Sequence, residues 1–143
     1  MAIPEPEHGL VINYAYLWHH EHRQGPEEGR KDKPSVIVMA AERMRDGTVE
    51  VTVLPMTHAT PLDQVSAVEI PAAVKRHLGL DDQRSWIVVD EGNRFVWPGY
   101  DLRQLLNSDH FDYGFLPPRL FATVQAAFVA CYLAGQSKLT PRE

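Results

Sequence analysis

The stretch from Arg30 to His58 constrains this chain more than any other. It runs R-K-D-K-P-S-V-I-V-M-A-A-E-R-M-R-D-G-T-V-E-V-T-V-L-P-M-T-H. Ser35 to Ala41 is short, almost wholly apolar and β-branched at Val36, Ile37 and Val38, the pattern of a strand buried on both faces. Asp46-Gly47 fits a type I′ turn, with Arg45 and Thr48 able to lengthen the loop. Thr48 to Leu54 alternates, with Val49, Val51 and Val53 on one side and Glu50 and Thr52 on the other. Pro55 cannot donate to a ladder, so the return strand is expected to end about there. In such a hairpin the start of one strand lies beside the end of the next. Arg30, Lys31 and Lys33 are therefore expected near Thr57 and His58, so that cations, a hydroxyl and an imidazole share one patch.

The remaining chain reads as short strands and two helices. Residues 1–8 form an arm, and Gly9 to Trp18 is a first strand with Ile12, Tyr14, Tyr16 and Trp18 on one face. His19 to Lys33 is a polar loop long enough to carry function. Val65 to Ile70 suits a short strand. Pro71 opens a small helix that Gly79 stops. Ser85 to Val89 and Arg94 to Trp97 are expected as a second hairpin turning at Glu91-Gly92-Asn93, and Pro98 to Gly114 as irregular. Pro117 to Leu133 is the clearest helix, with Leu120, Phe121, Val124, Phe128 and Cys131 on one stripe and Gly135 as stop. Its other face, with Ala122, Ala126, Val129, Ala130 and Leu133, is apolar enough to serve as extra core or as a subunit contact. Residues 136–143 are a tail. The expected fold is mainly β, of the α+β class: one domain over 1–143, a small antiparallel barrel with a short internal helix and a C-terminal helix.

At 143 residues the chain can bury a real core. No apolar run approaches a membrane span, and the N-terminus M-A-I-P-E-P-E-H is acidic and broken by proline. A cytoplasmic protein is the expectation. Cys131, the single cysteine, reads as a buried thiol in a reducing compartment. The net charge of -5 opposes broad adhesion to nucleic acid while leaving room for a local basic patch.

Four features together resemble the MazF/PemK family of toxin endoribonucleases. They are the strand opening at Gly9, the basic-proline-strand run Lys31-Asp32-Lys33-Pro34 with Val36-Ile37-Val38, the ending Leu54-Pro55-Met56-Thr57-His58, and Gly114-Phe115-Leu116 before the last helix. The likeness spans roughly Gly9 to Gly135. It implies an SH3-like barrel, a homodimer, a partner antitoxin and metal-independent cleavage of single-stranded RNA, with no cofactor. In that chemistry the 2′-hydroxyl attacks the adjacent phosphorus, which requires a proton acceptor, a proton donor and positive charge on the phosphorane oxygens. Thr57 matches the family's threonine. The family's arginine is Lys33 here, which keeps a phosphate contact and loses the bidentate fork. Arg30 and His58 are candidates to complete the set as further charge and as proton-transfer group. Lys31, His19, His22 and Glu28 are candidate RNA contacts.

Each residue also has a plainer reading. Thr57 at a strand end suits a turn hydroxyl bonded to its own backbone. Lys31 and Lys33 suit solvated loop charges. Glu27 and Glu28 suit surface ion pairs, and Trp18, Trp86 and Trp97 suit core. His19-His20-Glu21-His22 raises a metal-dependent enzyme as a distant reading, without a supporting Cys pair or HExxH helix. The alternative to the nuclease is a catalytically inactive SH3-like barrel that binds a peptide or nucleic acid.

Overall fold

The computed structural model describes residues 3–20 and 32–142. Its strands are β1 (Leu10–Ala15), β2 (Asp32–Glu42), β3 (Val49–Thr57), β4 (Ala67–Glu69), β5 (Trp86–Val88), β6 (Glu91–Val96), β7 (Asp112–Phe115) and β8 (Lys138–Pro141). The described residues also hold the helices α1 (Ala72–Leu78) and α2 (Pro118–Leu133), an α+β arrangement dominated by antiparallel sheet. The strand order is β4-β5-β3-β2-β1-β7, with β6 also on β3 and β8 on β6. Among the described pairings β6–β8 alone is parallel.

The two-faced burial expected of Ser35 to Ala41 holds in β2 for Ser35 to Val38, whereas Met39 and Ala41 beyond them are exposed. Val36 and Val38 enter one apolar cluster, with Leu54, Leu78, Val124 and Phe128, between the sheet and the helices. Ile37 enters a second cluster with Ile12, Tyr14, Val51, Val53 and Phe95, to which no helix contributes. Alternation of side chains across a strand makes one sequence serve both. Ile12, Tyr14 and Tyr16 share the second cluster, and Trp18 packs on its edge, as the first-strand pattern predicts.

Several expectations need correction. The β2–β3 connection is not a type I′ turn: Gly47 has φ 72°, and Asp46 is not left-handed. Arg43 N–H donates to the Thr48 carbonyl, closing a longer loop in which the Asp46 carboxylate accepts from the Thr48 N–H and hydroxyl. β3 continues past Pro55 to Thr57. Its ladder to β6 ends at Val53 and its ladder to β5 begins at Met56, so Pro55 lies where that edge has no partner.

The second hairpin is absent as well. β5 and β6 run one after the other along β3, and Glu91-Gly92-Asn93 is strand. A Cβ on Gly92 would lie 2.8 Å from the Val53 carbonyl oxygen, so this glycine serves close approach and not a turn. The end of the 98–114 segment is not irregular: Asp112–Phe115 forms β7 against β1. The last residues, expected as a tail, supply β8 and a buried guanidinium. Arg142 Nη2 lies 2.9 Å from Asp101 Oδ2, and Nη1 donates to the Ala15 carbonyl and to Asn93 Oδ1.

Both helices begin and stop where the prolines and glycines place them. Pro71 and Pro117 are the N-caps, and Gly79 and Gly135 take positive φ after the last turns. Along α2, Val124, Phe128 and Cys131 are buried while Val129 and Leu133 on the other face are exposed. Among the described residues no helix is long and apolar enough to cross a membrane.

Candidate functional site

The β2–β3 register pairs Ser35 with Pro55, which brings Lys33 toward Thr57 at the open end of the hairpin. A cleft of about 370 Å³ lies there, lined by Asp32, Lys33, Thr57, His58, Lys75 and Asp81, with Ser85 at its wall. Lys33, Thr57 and His58 are thus brought together. Arg30, Lys31, His22 and Glu28 lie outside the described residues. His19 is not among the residues lining this cleft; its backbone N–H donates to Glu91 Oε1 at 3.1 Å.

Each side chain in the cleft is held by the chemistry of its neighbours. Lys33 pairs in register with Tyr14 of β1, and its ammonium stands 4.5 Å from the centre of the Trp18 ring. That ring is carried just beyond Leu17, whose N–H and carbonyl are both bonded by the Asn93 side-chain amide. The Thr57 hydroxyl oxygen accepts from the Ala59 N–H at 3.1 Å, the local turn bond expected of a threonine at a strand end. Among the described residues no acceptor takes its own hydrogen. His58 is exposed, and its Nε2 lies 2.9 Å from Asp81 Oδ2.

Behind His58 is a buried cation that sequence reasoning passed over as an ordinary helix residue. Lys75 lies on the inward face of α1, three residues before buried Leu78, and is 4% exposed. A buried ammonium must find partners for all three hydrogens. Lys75 Nζ donates to Asp81 Oδ1 at 2.5 Å, to the Gln83 carbonyl at 2.6 Å and to Ser85 Oγ at 2.6 Å. The Lys75 hydrogen bond is the main cause that holds the Asp81 carboxyl below its ordinary pKa; partial burial opposes it, and the Gln83 N–H and His58 add to it. The available signal was positional: a lysine sharing a helix face with Leu78, followed within ten residues by Asp81, Gln83 and Ser85.

A second hollow of about 420 Å³ adjoins the cleft at Thr57, which lines both. Trp18, Pro61, Leu62 and Val88 give it an apolar lining, with His20 at its edge. Elsewhere, burial raises the Glu91 carboxyl above its ordinary range although the His19 N–H and the Tyr16 hydroxyl donate to it. Among the described residues no group of three or more His, Cys, Asp or Glu could hold a metal ion; Glu21 and His22 of the histidine run lie outside them.

In comparisons with family models, with curated proteins and with solved structures, nothing matches this chain. The functional reading therefore rests on the cleft's own chemistry and on the resemblance carried by Lys33-Pro34 and Pro55-Met56-Thr57.

Proposed function

We propose that this chain is a toxin-like endoribonuclease of the MazF/PemK type that cleaves single-stranded RNA without a metal. The observation that carries the reading is the convergence of Lys33, Thr57 and His58 on one open cleft. A 2′-hydroxyl entering there would lose its proton to the His58 imidazole while its oxygen bonds the adjacent phosphorus. Lys33 would offset the charge gathering on the phosphorane oxygens, and the Thr57 hydroxyl would donate to one of them. The bond from phosphorus to the 5′ oxygen breaks, and that oxygen takes its proton from the His58 imidazolium or from solvent, so the proton removed from the 2′-hydroxyl is accounted for. The products are a 2′,3′-cyclic phosphate and a 5′-hydroxyl, so neither oxidant nor metal enters the balance.

The fold part of the reading is an SH3-like barrel. Its support is the second apolar cluster, made by strands and the segments flanking them, as a sheet curling over its own side chains would make it. A type II toxin-antitoxin role follows from the resemblance, with an antitoxin filling the cleft, a homodimer and a cytoplasmic setting. The exposed Val129 and Leu133 of α2 are consistent with a subunit contact.

One observation favours the alternative, a catalytically silent module that binds nucleic acid or peptide. The Lys33 ammonium rests on Trp18 and stands where the family carries an arginine fork. Incubation of the protein with a long single-stranded RNA in EDTA separates the two. Cleavage that disappears in Thr57→Ala and His58→Ala, both still folded, supports the nuclease. RNA retained intact but bound by wild type supports the module.

A further inference from the structure

We infer that Lys75, acting through Asp81, fixes the His58 ring as its Nε2–H tautomer and so leaves Nδ1 as the nitrogen that takes and returns protons in the cleft. The geometry requires it in three steps. Lys75 is sealed from water and directs its three hydrogens at Asp81 Oδ1, the Gln83 carbonyl and Ser85 Oγ, which pins the carboxylate from behind. The Gln83 N–H donates to the same Oδ1 and adds a second pin. With Oδ1 so held, Oδ2 is presented to His58 Nε2 at 2.9 Å. An ionised carboxylate can only accept, so the nitrogen facing it must carry hydrogen, and in a neutral ring the other nitrogen then carries none.

This is the arrangement by which an outer partner sets which imidazole nitrogen is basic. Lys75 is here a positioning residue, one connection removed from the ring. Its buried place also accounts for a lysine on the inward face of α1, where a leucine or valine would otherwise pack. Among the described residues, the charged groups that line the cleft with His58 are Asp32, Lys33, Lys75 and Asp81, and Asp81 is the one hydrogen-bonded to the ring. The part His58 plays in RNA cleavage rests on the proposed function, but the tautomer does not.

The test is a two-dimensional 1H–15N spectrum of the histidine rings in the full chain, at about pH 9 where imidazoles are neutral. The chain has seven histidines, and the signal lost in His58→Gln assigns the ring. Wild type should show the Nε2–H tautomer alone. Asp81→Asn and Lys75→Met should each give a mixture, and where Lys75→Met does not fold, Lys75→Gln removes the charge while its amide still donates. In the RNA assay Asp81→Asn should lower kcat about 100-fold and leave KM unchanged. A wild-type ring that is mixed or Nδ1–H, or a tautomer indifferent to Asp81→Asn, overturns the inference. Should wild type leave RNA intact while its tautomer depends on Asp81 and Lys75, the positioning stands and only the nuclease reading falls.

Discussion

Lys75 and Asp81 form an ion pair with one partner sealed and the other wet: the lysine side chain is 5% exposed and the aspartate 47%. Such a pair is asymmetric under mutation. Removing Asp81 strands a buried ammonium on two neutral acceptors, and water can reach it only in part. Asp81→Ala is expected to cost about 2 kcal/mol, measured as a lower urea midpoint at unchanged slope.

The same pair sets a pH dependence. The Asp81 pKa is depressed in the folded chain, so its contribution is fully present above the unfolded carboxylate value of about 4 and is lost as pH falls through the folded value. Urea midpoints of wild type should fall more steeply below about pH 4 than those of Asp81→Asn. Glu91 works in the opposite sense. Burial raises it, so ionisation at neutral pH costs stability, and Glu91→Gln should raise the midpoint at neutral pH and lose that gain in acid.

Gly92 tests the corrected path of β5 and β6. An alanine there would press its Cβ on the Val53 carbonyl oxygen at 2.8 Å and on Leu54 Cδ2 at 3.2 Å, and backbone would have to move. Gly92→Ala is expected to cost about 2 kcal/mol in a denaturation series. If the segment were a turn open to solvent, the same change would be close to neutral.

These two sites also show where sequence reasoning succeeded and where it stopped. The double burial of Val36 to Val38, the first strand's aromatic face and both helix boundaries were legible because periodicity and caps are local. The antiparallel hairpin was legible too, and with it the meeting of Lys33, Thr57 and His58. Its register was not, because the loop at Asp46-Gly47 is longer than two residues and the ladder shifts between Ile37 and Met39. Gly92 was misread because a turn and a close backbone approach use the same residue. Lys75, Asp81 and Ser85 were missed because their meaning lies in burial, which a short helix with only two buried positions does not announce. β8 has four residues and a proline, too little pattern to separate from a tail.

That strand is anchored by Arg142, whose guanidinium is 2% exposed and lies 2.9 Å from Asp101 Oδ2. Arg142→Ala leaves a mostly buried carboxylate without that guanidinium and frees the Ala15 carbonyl and Asn93 Oδ1 of a donor. The expected cost is about 3 kcal/mol, with faster amide exchange in β8 and in Leu17, which Asn93 holds.

Lys33→Arg separates chemistry from binding at the hairpin base. A guanidinium at that position can reach two phosphate oxygens where the ammonium reaches one point. The RNA assay should show kcat rising about tenfold, and Lys33→Ala should lower it by about 100-fold. Equal rates in all three proteins would remove Lys33 from the site.

The proposed metal-independent cleavage of RNA turns on Thr57 and His58. The most direct measurement is incubation of the purified chain with long single-stranded RNA in EDTA, beside Thr57→Ala and His58→Ala, with analysis of the fragment ends. Wild type should leave 2′,3′-cyclic phosphate and 5′-hydroxyl ends, and both variants should lose cleavage. Intact RNA after incubation with folded wild type, or equal cleavage by the variants, would contradict it.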